Sequence, residues 1–228
     1  MITLQFKRTG DGVFVPHVDV LRSLNRTFRR ADIEVEYSKG FNRHMALKLT
    51  QPIPFGVADE DCYASAKVIS ELSCEEIFHR FSASCPPFIA LTGVYETETA
   101  PSLSGIINAS SYRVSGKITD EQASKINGIR DYTVTNKKTG ETKEVGELIY
   151  SVKAEKESLN LTLAFGNVNL RIDLLIEQFN ADFGTQYSVT DAVREKQYIK
   201  DGEKFITAEE YLEKICRAKF ISKERTTV

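Results

Sequence analysis

Apolar residues recur along the chain with two different periods, and the changes of period predict where strands and helices alternate. Alternating apolar and polar residues are typical of strands, whereas apolar residues spaced by three and four positions are typical of helices. The alternating pattern of the first part predicts strands at 2–8, 33–37, 45–50, 62–69 and 88–96. The helical spacing predicts helices at 16–31 and 73–84. A stripe of Val18, Leu21, Leu24, Phe28 and Ala31 is the expected buried side of the first helix.

A similar order of elements follows after a boundary expected at 97–104. Strands are predicted at 111–118, 132–136, 148–154, 159–165 and 187–199, and helices at 120–128, 170–179 and 208–220. Both parts therefore follow the β-α-β-β-α-β plan of ferredoxin-like folds with one additional strand. We expect an α+β protein of two tandem ferredoxin-like units, whose antiparallel sheets are covered by helices. The first unit is expected at 1–100 and the second, with a C-terminal helix, at 105–228.

Composition narrows the class of protein without identifying a reaction. Of 228 residues, 41% are hydrophobic and 27% are charged, which excludes a disordered or collagen-like chain. The formal net charge of -2 provides no general attraction to nucleic acid or to an anionic membrane, so any such attraction must be local. No apolar run approaches the roughly 20 residues of a membrane span, and no signal peptide is recognisable. A cytoplasmic location without membrane contact is expected.

The spacing of cysteines and histidines argues against a resident metal or cofactor. The cysteines are Cys62, Cys74, Cys85 and Cys216, and they form neither a C-x-x-C pair nor the C-x3-C-x2-C motif of radical-SAM clusters. The chain is therefore not itself expected to be a radical-SAM enzyme. Metal binding by His17, His44 and His79 stays an alternative, although His79 lies in an amphipathic helical stretch. We expect no cofactor and no metal.

The segment 22–48 contains the most informative charge pattern. It has seven basic and three acidic residues, a local net charge of +4 in a slightly acidic chain. Guanidinium groups bind phosphate or carboxylate oxygens with two parallel hydrogen bonds, and glycine allows backbone N–H groups to approach an anion. Aromatic rings in such a loop can stack on a base. The candidate anion-binding residues are Arg22, Arg26, Arg29, Arg30, Tyr37, Lys39, Gly40, Phe41, Asn42, Arg43 and His44. The alternative is a solvated basic face, paired with Glu34 and Glu36.

Catalytic patterns are few. His17 and Asp19 point to different sides of a helix, and the chain has no P-loop and no G-x-G-x-x-G motif. Ser38 and His44 are a possible nucleophile and base, but no third residue that orients them is identifiable. Intrinsic enzymatic activity is therefore the less favoured interpretation, with His17, Ser38 and His44 as its candidate residues.

Five motifs occur in a specific order in the N-terminal part of the chain. They are Phe6-Lys-Arg-Thr-Gly10, Pro16-His-Val-Asp-Val-Leu-Arg22, Asn25-Arg-Thr-Phe-Arg-Arg-Ala31, Tyr37-Ser-Lys-Gly-Phe-Asn-Arg-His44 and Pro52-Ile-Pro-Phe-Gly56. Together they resemble the DUF2344 family, the radical-SAM-linked bacterial proteins of unknown function. The resemblance is specific over about residues 4–70 and looser from there to about 200.

Three departures from the family pattern bear on the candidate site. Pro16 replaces a serine before His17, and Arg43 and Met45 replace two prolines that flank the loop histidine. The strand that follows Pro52-Ile-Pro-Phe-Gly56 is expected to begin at Cys62 and to lack the carboxylate found there in the family. The loss of both prolines should make the loop more flexible.

The resemblance implies context and no mechanism. Members are fused to radical-SAM proteins or encoded near them, and ribosomal protein genes and a ribonuclease of the E/G type are frequent neighbours. We therefore expect a radical-SAM-associated accessory module that binds an anionic substrate or partner, with RNA or a ribosome-related partner as the candidates and a radical-SAM protein acting in trans. The alternatives are an RNA-processing or hydrolytic enzyme that uses His17, Ser38 and His44, for which CRISPR repeat-processing endonucleases offer an analogy of fold only, and a protein docking module.

Overall fold

The computed structural model describes residues 1–99, 103–137 and 139–222 and divides the chain into two compact units. The first comprises Met1–Pro52, Glu60–Ser104 and Ile206–Val228, and the second comprises Ile53–Asp59 and Gly105–Phe205. The C-terminal segment thus belongs to the first unit, whereas the sequence assigned it to the second. Part of the expected boundary, 100–102, lies outside the described residues.

The first unit is a sheet with helices packed on it. Its strands are β1 (Ile2–Arg8), β2 (Lys48–Leu49), β3 (Ala58–Ala66), which enters this unit at Glu60, β4 (Ile89–Thr97) and the C-terminal β12 (Cys216–Ile221). They run in the order β12-β4-β1-β3, β2 pairs with β3, and β1 and β4 are antiparallel. The helices are α1 (His17–Arg30), α2 (Cys74–Ser84) and α6 (Ala208–Ile215).

The second unit repeats a similar strand order. Its elements are β5 (Ala109–Ser115), α4 (Asp120–Asn127), β6 (Thr133–Thr135), β7 (Thr142–Glu144), β8 (Ile149–Ala154), β9 (Ser158–Ala164), α5 (Ile172–Phe183) and β10 (Ala192–Asp201). The main sheet runs β10-β5-β9-β8, and β6 and β7 form a separate hairpin. Among the described residues, the remaining elements are short: α3 (Leu103–Ile106), β11 (Lys204–Thr207) and 3-10 helices at Gly10–Phe14, Gly146–Leu148 and Val189–Asp191.

A buried ion pair lies in the core of the second unit. Ala58 and Asp59, the first residues of β3, pair in parallel with Val193 and Arg194 of β10. The Asp59 carboxylate accepts a hydrogen bond of 3.0 Å from Nε of Arg194, and the two side chains are only 3% and 1% exposed. The guanidinium also lies 5.0 Å from the centre of the Phe165 ring. Because both charges are excluded from water, loss of one of them should destabilise the second unit far more than loss of an exposed charge.

Helix α1 is amphipathic and ends in a specific capping motif. Its buried side consists of Val20, Leu24, Thr27 and Phe28, and the Phe28 ring packs edge-on against Phe81 of α2 at 4.9 Å. At its C-terminus, the backbone N–H groups of Asp32 and Ile33 donate to the carbonyls of Arg29 and Phe28. This is a Schellman motif, in which Asp32 takes a left-handed conformation with φ 53°.

The α+β class is confirmed, since mostly antiparallel sheets are combined with helices in both units. Three local predictions are wrong. Residues 33–37 form only isolated bridges, Val35 to Val68 and Tyr37 to Met45, because the chain there pairs with two short segments and not with a neighbouring strand. The predicted helix 208–220 ends at Ile215, since the following residues pair with β4 as β12. Val18 is 56% exposed, on the solvent side of α1.

Candidate functional site

Three arginines of α1 share its solvent face. Arg22, Arg26 and Arg29 are separated by four and three positions, which places them in one row opposite the buried side, and all three are exposed. Arg22 forms an ion pair of 2.8 Å with Asp19. Arg26 and Arg29 make no hydrogen bond or ion pair with any residue in the described ranges. We call this row the arginine face, and it provides two guanidinium groups that are available to an anion.

Arg30 has a different role from its neighbour. Its Nη2 donates a hydrogen bond of 2.6 Å to the Ser84 carbonyl at the end of α2 and one of 3.3 Å to the Thr27 hydroxyl. These contacts tie the ends of α1 and α2 together. The sequence grouped Arg30 with the anion-binding residues, but its guanidinium is largely committed to this internal contact.

Glu34 and Glu36 are not ion-pair partners of the arginine face. Glu36 pairs with Lys67 at 3.3 Å, and the backbone N–H of Glu34 donates to the Ser70 hydroxyl at 2.8 Å. Within the described part of the chain, neither carboxylate forms an ion pair with an arginine of α1. The question that the sequence left open is thereby answered: Asp19 is the acidic partner of this face.

The loop 38–44 is closed by its first and last residues. The Ser38 N–H donates to the His44 carbonyl at 2.7 Å, and the Ser38 hydroxyl lies 3.0 Å from Nδ1 of His44 and accepts from the His44 N–H at 3.2 Å. Gly40, with φ 136°, makes the turn between them, a conformation that other residues rarely adopt. Lys39, Phe41 and Arg43 project from this closed loop, and Phe41 is fully exposed.

The Ser38–His44 contact does not form a catalytic dyad in the usual arrangement. A general base needs one ring nitrogen for the nucleophile and the other held by an orienting group. Here Nδ1 faces both Ser38 and the carbonyl of Asn42, at 3.3 Å, and no described residue holds Nε2. His17, the third candidate, is the first residue of α1. The Ser38–His44 contacts close the loop, and a catalytic role of His17, Ser38 and His44 stays a prediction.

A cavity of about 440 Å³ lies at the C-terminal end of the arginine face. Its base is apolar and consists of Phe28, Ile33, Val35 and Met45, which are all buried. Arg29, Asp32, Glu34, Tyr37 and Ile69 line the remainder. The cavity therefore brings together Arg29 of α1 and Tyr37 of the following segment. In the sequence analysis, both residues belong to one anion-binding site. The cavity also adds two acidic residues, Asp32 and Glu34, of which only Glu34 is considered in the sequence analysis, as a charge partner.

A buried polar network lies on the first unit's sheet and was missed from the sequence. The Asp61 carboxylate, fully buried, accepts hydrogen bonds from the Tyr63 hydroxyl at 2.6 Å and from Nε2 of Gln5 at 3.0 Å. The Tyr95 hydroxyl donates to Oε1 of Gln5 at 3.0 Å. Burial, together with the negative charge of Asp61, raises the pKa of Tyr63 well above its usual value. Both tyrosines therefore stay protonated donors at neutral pH.

The prediction that this strand has lost its carboxylate is wrong. The strand begins at Ala58 and not at Cys62, so Asp59 and Asp61 both lie within it. The strand is predicted to start too late because residues 59–61 are all acidic, a pattern that is typical of an exposed turn. The alternation of Asp61, Tyr63 and Ser65 was the available signal, because these polar residues lie on one face and the apolar core residues on the other.

Other sequence candidates have simple structural settings. His79 is exposed on α2 and lies 3.8 Å from Glu75. Within 1–99, 103–137 and 139–222, no group of three His, Cys, Asp or Glu side chains is arranged to hold a metal ion. No helix among these residues is long and apolar enough to cross a membrane.

Comparison with known proteins identifies a family and no named relative. No curated protein matches the chain significantly. Residues 1–178 match a family described as uncharacterized proteins conserved in bacteria, DUF2344. This range includes the arginine face, the loop 38–44, the cavity and the buried network. Because the match covers most of the 228 residues, the motifs' resemblance is confirmed and the chain belongs to the DUF2344 family.

Proposed function

We propose that this protein is an accessory module that binds RNA through the arginine face and the loop 38–44. The observation on which the proposal depends is that Arg26 and Arg29 are exposed, lie on one helix face and have no partner in the described part of the chain. Side chains without protein partners retain their full capacity to bind phosphate oxygens. Because the whole chain has a net charge of -2, this attraction would be confined to one surface.

The loop 38–44 supplies the second element of an RNA-binding surface. Lys39 and Arg43 have no ion pair within the described residues, and they flank the fully exposed ring of Phe41. Proteins that bind single-stranded RNA combine cations for the backbone with aromatic rings on which bases stack. The fully exposed Phe41 ring is thus available for stacking by a base.

We propose that this module acts beside a second protein. A radical-SAM protein acting in trans, or a component of the ribosome, is the partner that the family context favours, in the cytoplasm. In this arrangement the module binds the RNA and the partner performs the reaction. The chain's own cysteines, at 62, 74, 85 and 216, lack the spacing for a radical-SAM cluster.

We further infer that both units have a ferredoxin-like fold. The order β4-β1-β3-β2 in the first unit and β10-β5-β9-β8 in the second supports this, since each places its first strand between its last and its third. The succession of strands and helices in each unit also fits the β-α-β-β-α-β plan. This kinship concerns fold alone, because such folds serve many functions.

The direct test measures binding of a mixed pool of short RNAs by fluorescence anisotropy over a series of salt concentrations. We expect affinity to fall steeply with salt, because phosphate contacts release counterions. The double variant Arg26→Ala/Arg29→Ala should bind more weakly, with a log–log salt slope shallower by roughly 1.4, since each phosphate contact on a single strand contributes about 0.7.

The matched control removes the same charge from the second unit. Lys117→Ala/Arg130→Ala replaces two exposed basic residues outside the proposed surface and should bind like the unmodified protein. If both double variants lost RNA affinity equally, the effect would come from net charge alone. That result would contradict the assignment of RNA binding to the arginine face. Absence of RNA binding at low salt, with salt-dependent binding to an acidic protein, would identify a protein docking module instead.

A further inference from the structure

The cavity beside Arg29 has a composition that phosphate binding does not explain. Its charged lining residues are one arginine, Arg29, and two acidic residues, Asp32 and Glu34. A phosphate inside would face more negative than positive charge. The apolar base of Phe28, Ile33, Val35 and Met45 also favours a group with little charge of its own. The cavity is therefore suited to an uncharged, partly apolar group whose edge donates hydrogen bonds.

The backbone at Asp32 indicates that a carboxylate is kept there against the preferences of the fold. Asp32 is the one non-glycine residue with positive φ among those the structure describes. The position is a helix C-terminus, where glycine or asparagine is common and where the helix dipole disfavours negative charge. Residues held in unfavourable conformations concentrate at functional sites. The Schellman hydrogen bonds fix the backbone at Asp32, and they therefore fix the position of its Cβ atom beside the cavity.

We propose that the cavity binds a guanine base whose phosphate is held on the arginine face. The Watson–Crick edge of guanine presents two adjacent N–H donors, one on N1 and one on N2, and ionised carboxylates are acceptors only. Adenine and cytosine place an acceptor nitrogen beside their amino group, and uracil places a carbonyl on each side of its N–H. A carboxylate repels those acceptors, so guanine is the base that the rim selects.

Arg29 determines how such a ligand is oriented. Its side chain belongs both to the arginine face and to the cavity wall, so a base in the cavity brings its own phosphate towards Arg29 and Arg26. The ring of Tyr37, about 40% exposed at the cavity, supplies an aromatic surface next to the apolar base. This inference rests on the proposed RNA binding for the source of the guanine, and a free guanine nucleotide presents the same chemistry.

The test compares dissociation constants of short single-stranded RNAs that differ only in one central base. We expect guanine to bind about tenfold more tightly than adenine, cytosine or uracil, the discrimination typical of one paired contact to a base. Inosine, which lacks the N2 amino group, should fall between guanine and adenine. In Asp32→Asn/Glu34→Gln the preference for guanine should disappear, while binding of the adenine RNA is retained. Asparagine also adopts the left-handed conformation, so the double variant should fold.

Glu36→Gln is the matched control, because Glu36 lies in the same segment, pairs with Lys67 and does not line the cavity. It should keep the preference for guanine. Equal affinity for all central bases, with binding still dependent on Arg26 and Arg29, would overturn the guanine site and leave the proposed function standing. Without RNA binding, the same comparison with GMP and AMP decides: a preference for GMP keeps the site with free nucleotide as its ligand, and no preference overturns it.

Discussion

Arg30 donates a hydrogen bond of 2.6 Å to the Ser84 carbonyl, whereas the adjacent Arg29 has no partner in the described part of the chain. Two neighbouring arginines of one motif thus have different roles. Arg30 joins the ends of α1 and α2, and Arg29 borders the cavity and the arginine face. They are grouped in the sequence analysis because they are adjacent in the chain. Neighbouring residues of an α-helix are rotated by about 100° about its axis, so Arg29 and Arg30 point in different directions and have different contacts.

This division predicts opposite outcomes for two matched substitutions. Arg30→Ala should lower the free energy of unfolding by about 1 kcal/mol, because it removes the bonds to Ser84 and Thr27. Arg29→Ala should change stability by less than about 0.5 kcal/mol, as is usual for an exposed residue without partners, and should weaken RNA binding. Urea unfolding and anisotropy on both variants measure the two effects. A loss of stability in Arg29→Ala equal to that in Arg30→Ala would contradict the separation.

Asp32→Gly should stabilise the first unit. Glycine adopts the left-handed conformation without the steric cost of a side chain, and the substitution removes a negative charge from the C-terminus of α1. Relief of the left-handed conformation, about 1–2 kcal/mol, should exceed the cost of a more flexible unfolded chain, about 0.4–1 kcal/mol. We therefore expect a net gain in the free energy of unfolding of roughly 0.5–1 kcal/mol, measured by urea denaturation. Gly184, the left-handed residue with φ 64° that ends α5, is the converse control: Gly184→Asp should destabilise the second unit. A destabilised Asp32→Gly protein would show that the carboxylate itself supports the fold.

The buried pair of the second unit should be far more sensitive than an exposed one. Asp59→Asn removes the negative charge that faces the buried Arg194 guanidinium, which should cost about 3–5 kcal/mol. The exposed pair of Arg113 and Glu195, at 2.8 Å on the same sheet, is the control, and Glu195→Gln should cost at most about 1 kcal/mol. Chemical denaturation of both variants provides the comparison. Similar losses in the two would mean that water reaches Arg194.

The buried tyrosines of the first unit predict a loss of stability at alkaline pH. Burial, and then the nearby carboxylates, raise the pKa of Tyr63 and Tyr95 above their unfolded value of about 10. Their contribution is therefore complete below pH 10 and falls as pH rises towards the folded pKa, by about 1.4 kcal/mol per pH unit for each group. Urea unfolding from pH 8 to pH 11 should show this decline.

Removing the ionisable group should flatten that decline. Tyr63→Phe and Tyr95→Phe are each expected to be less stable at pH 8, because Asp61 and Gln5 lose a hydrogen-bond donor. Above pH 10 their stability should fall less steeply than that of the unmodified protein. Tyr150→Phe, in the second unit, is the control for an unrelated tyrosine. An unchanged slope in both network variants would place the alkaline transition elsewhere.

Elements that depend on local sequence could be predicted, whereas features that depend on distant residues could not. Periodicity located α1, α2 and β1 to within a residue or two, because burial of one face imposes the period directly. Periodicity did not predict that Asp61 is buried. The carboxylate can be buried because it accepts a hydrogen bond from Gln5, which lies 56 positions earlier in the chain. Periodicity failed again at 216–221, where pairing with β4 decides between helix and strand. The cavity likewise depends on Met45 and Ile69 folding back onto α1, which no local pattern specifies.

Phe41 offers a direct spectroscopic test of the loop, because the chain contains no tryptophan. Phe41→Trp places a single indole at the exposed tip between Lys39 and Arg43, and its fluorescence should be quenched when an unpaired base stacks on it. Stability should be unchanged, since the ring at this position is fully exposed. Duplex RNA of the same sequence should quench less, because its bases are already stacked on one another. Phe14→Trp, at another exposed phenylalanine outside the loop, is the control for non-specific quenching. RNA binding with equal emission changes at both positions would remove Phe41 from the binding surface and leave the arginines of α1 as its remaining determinant.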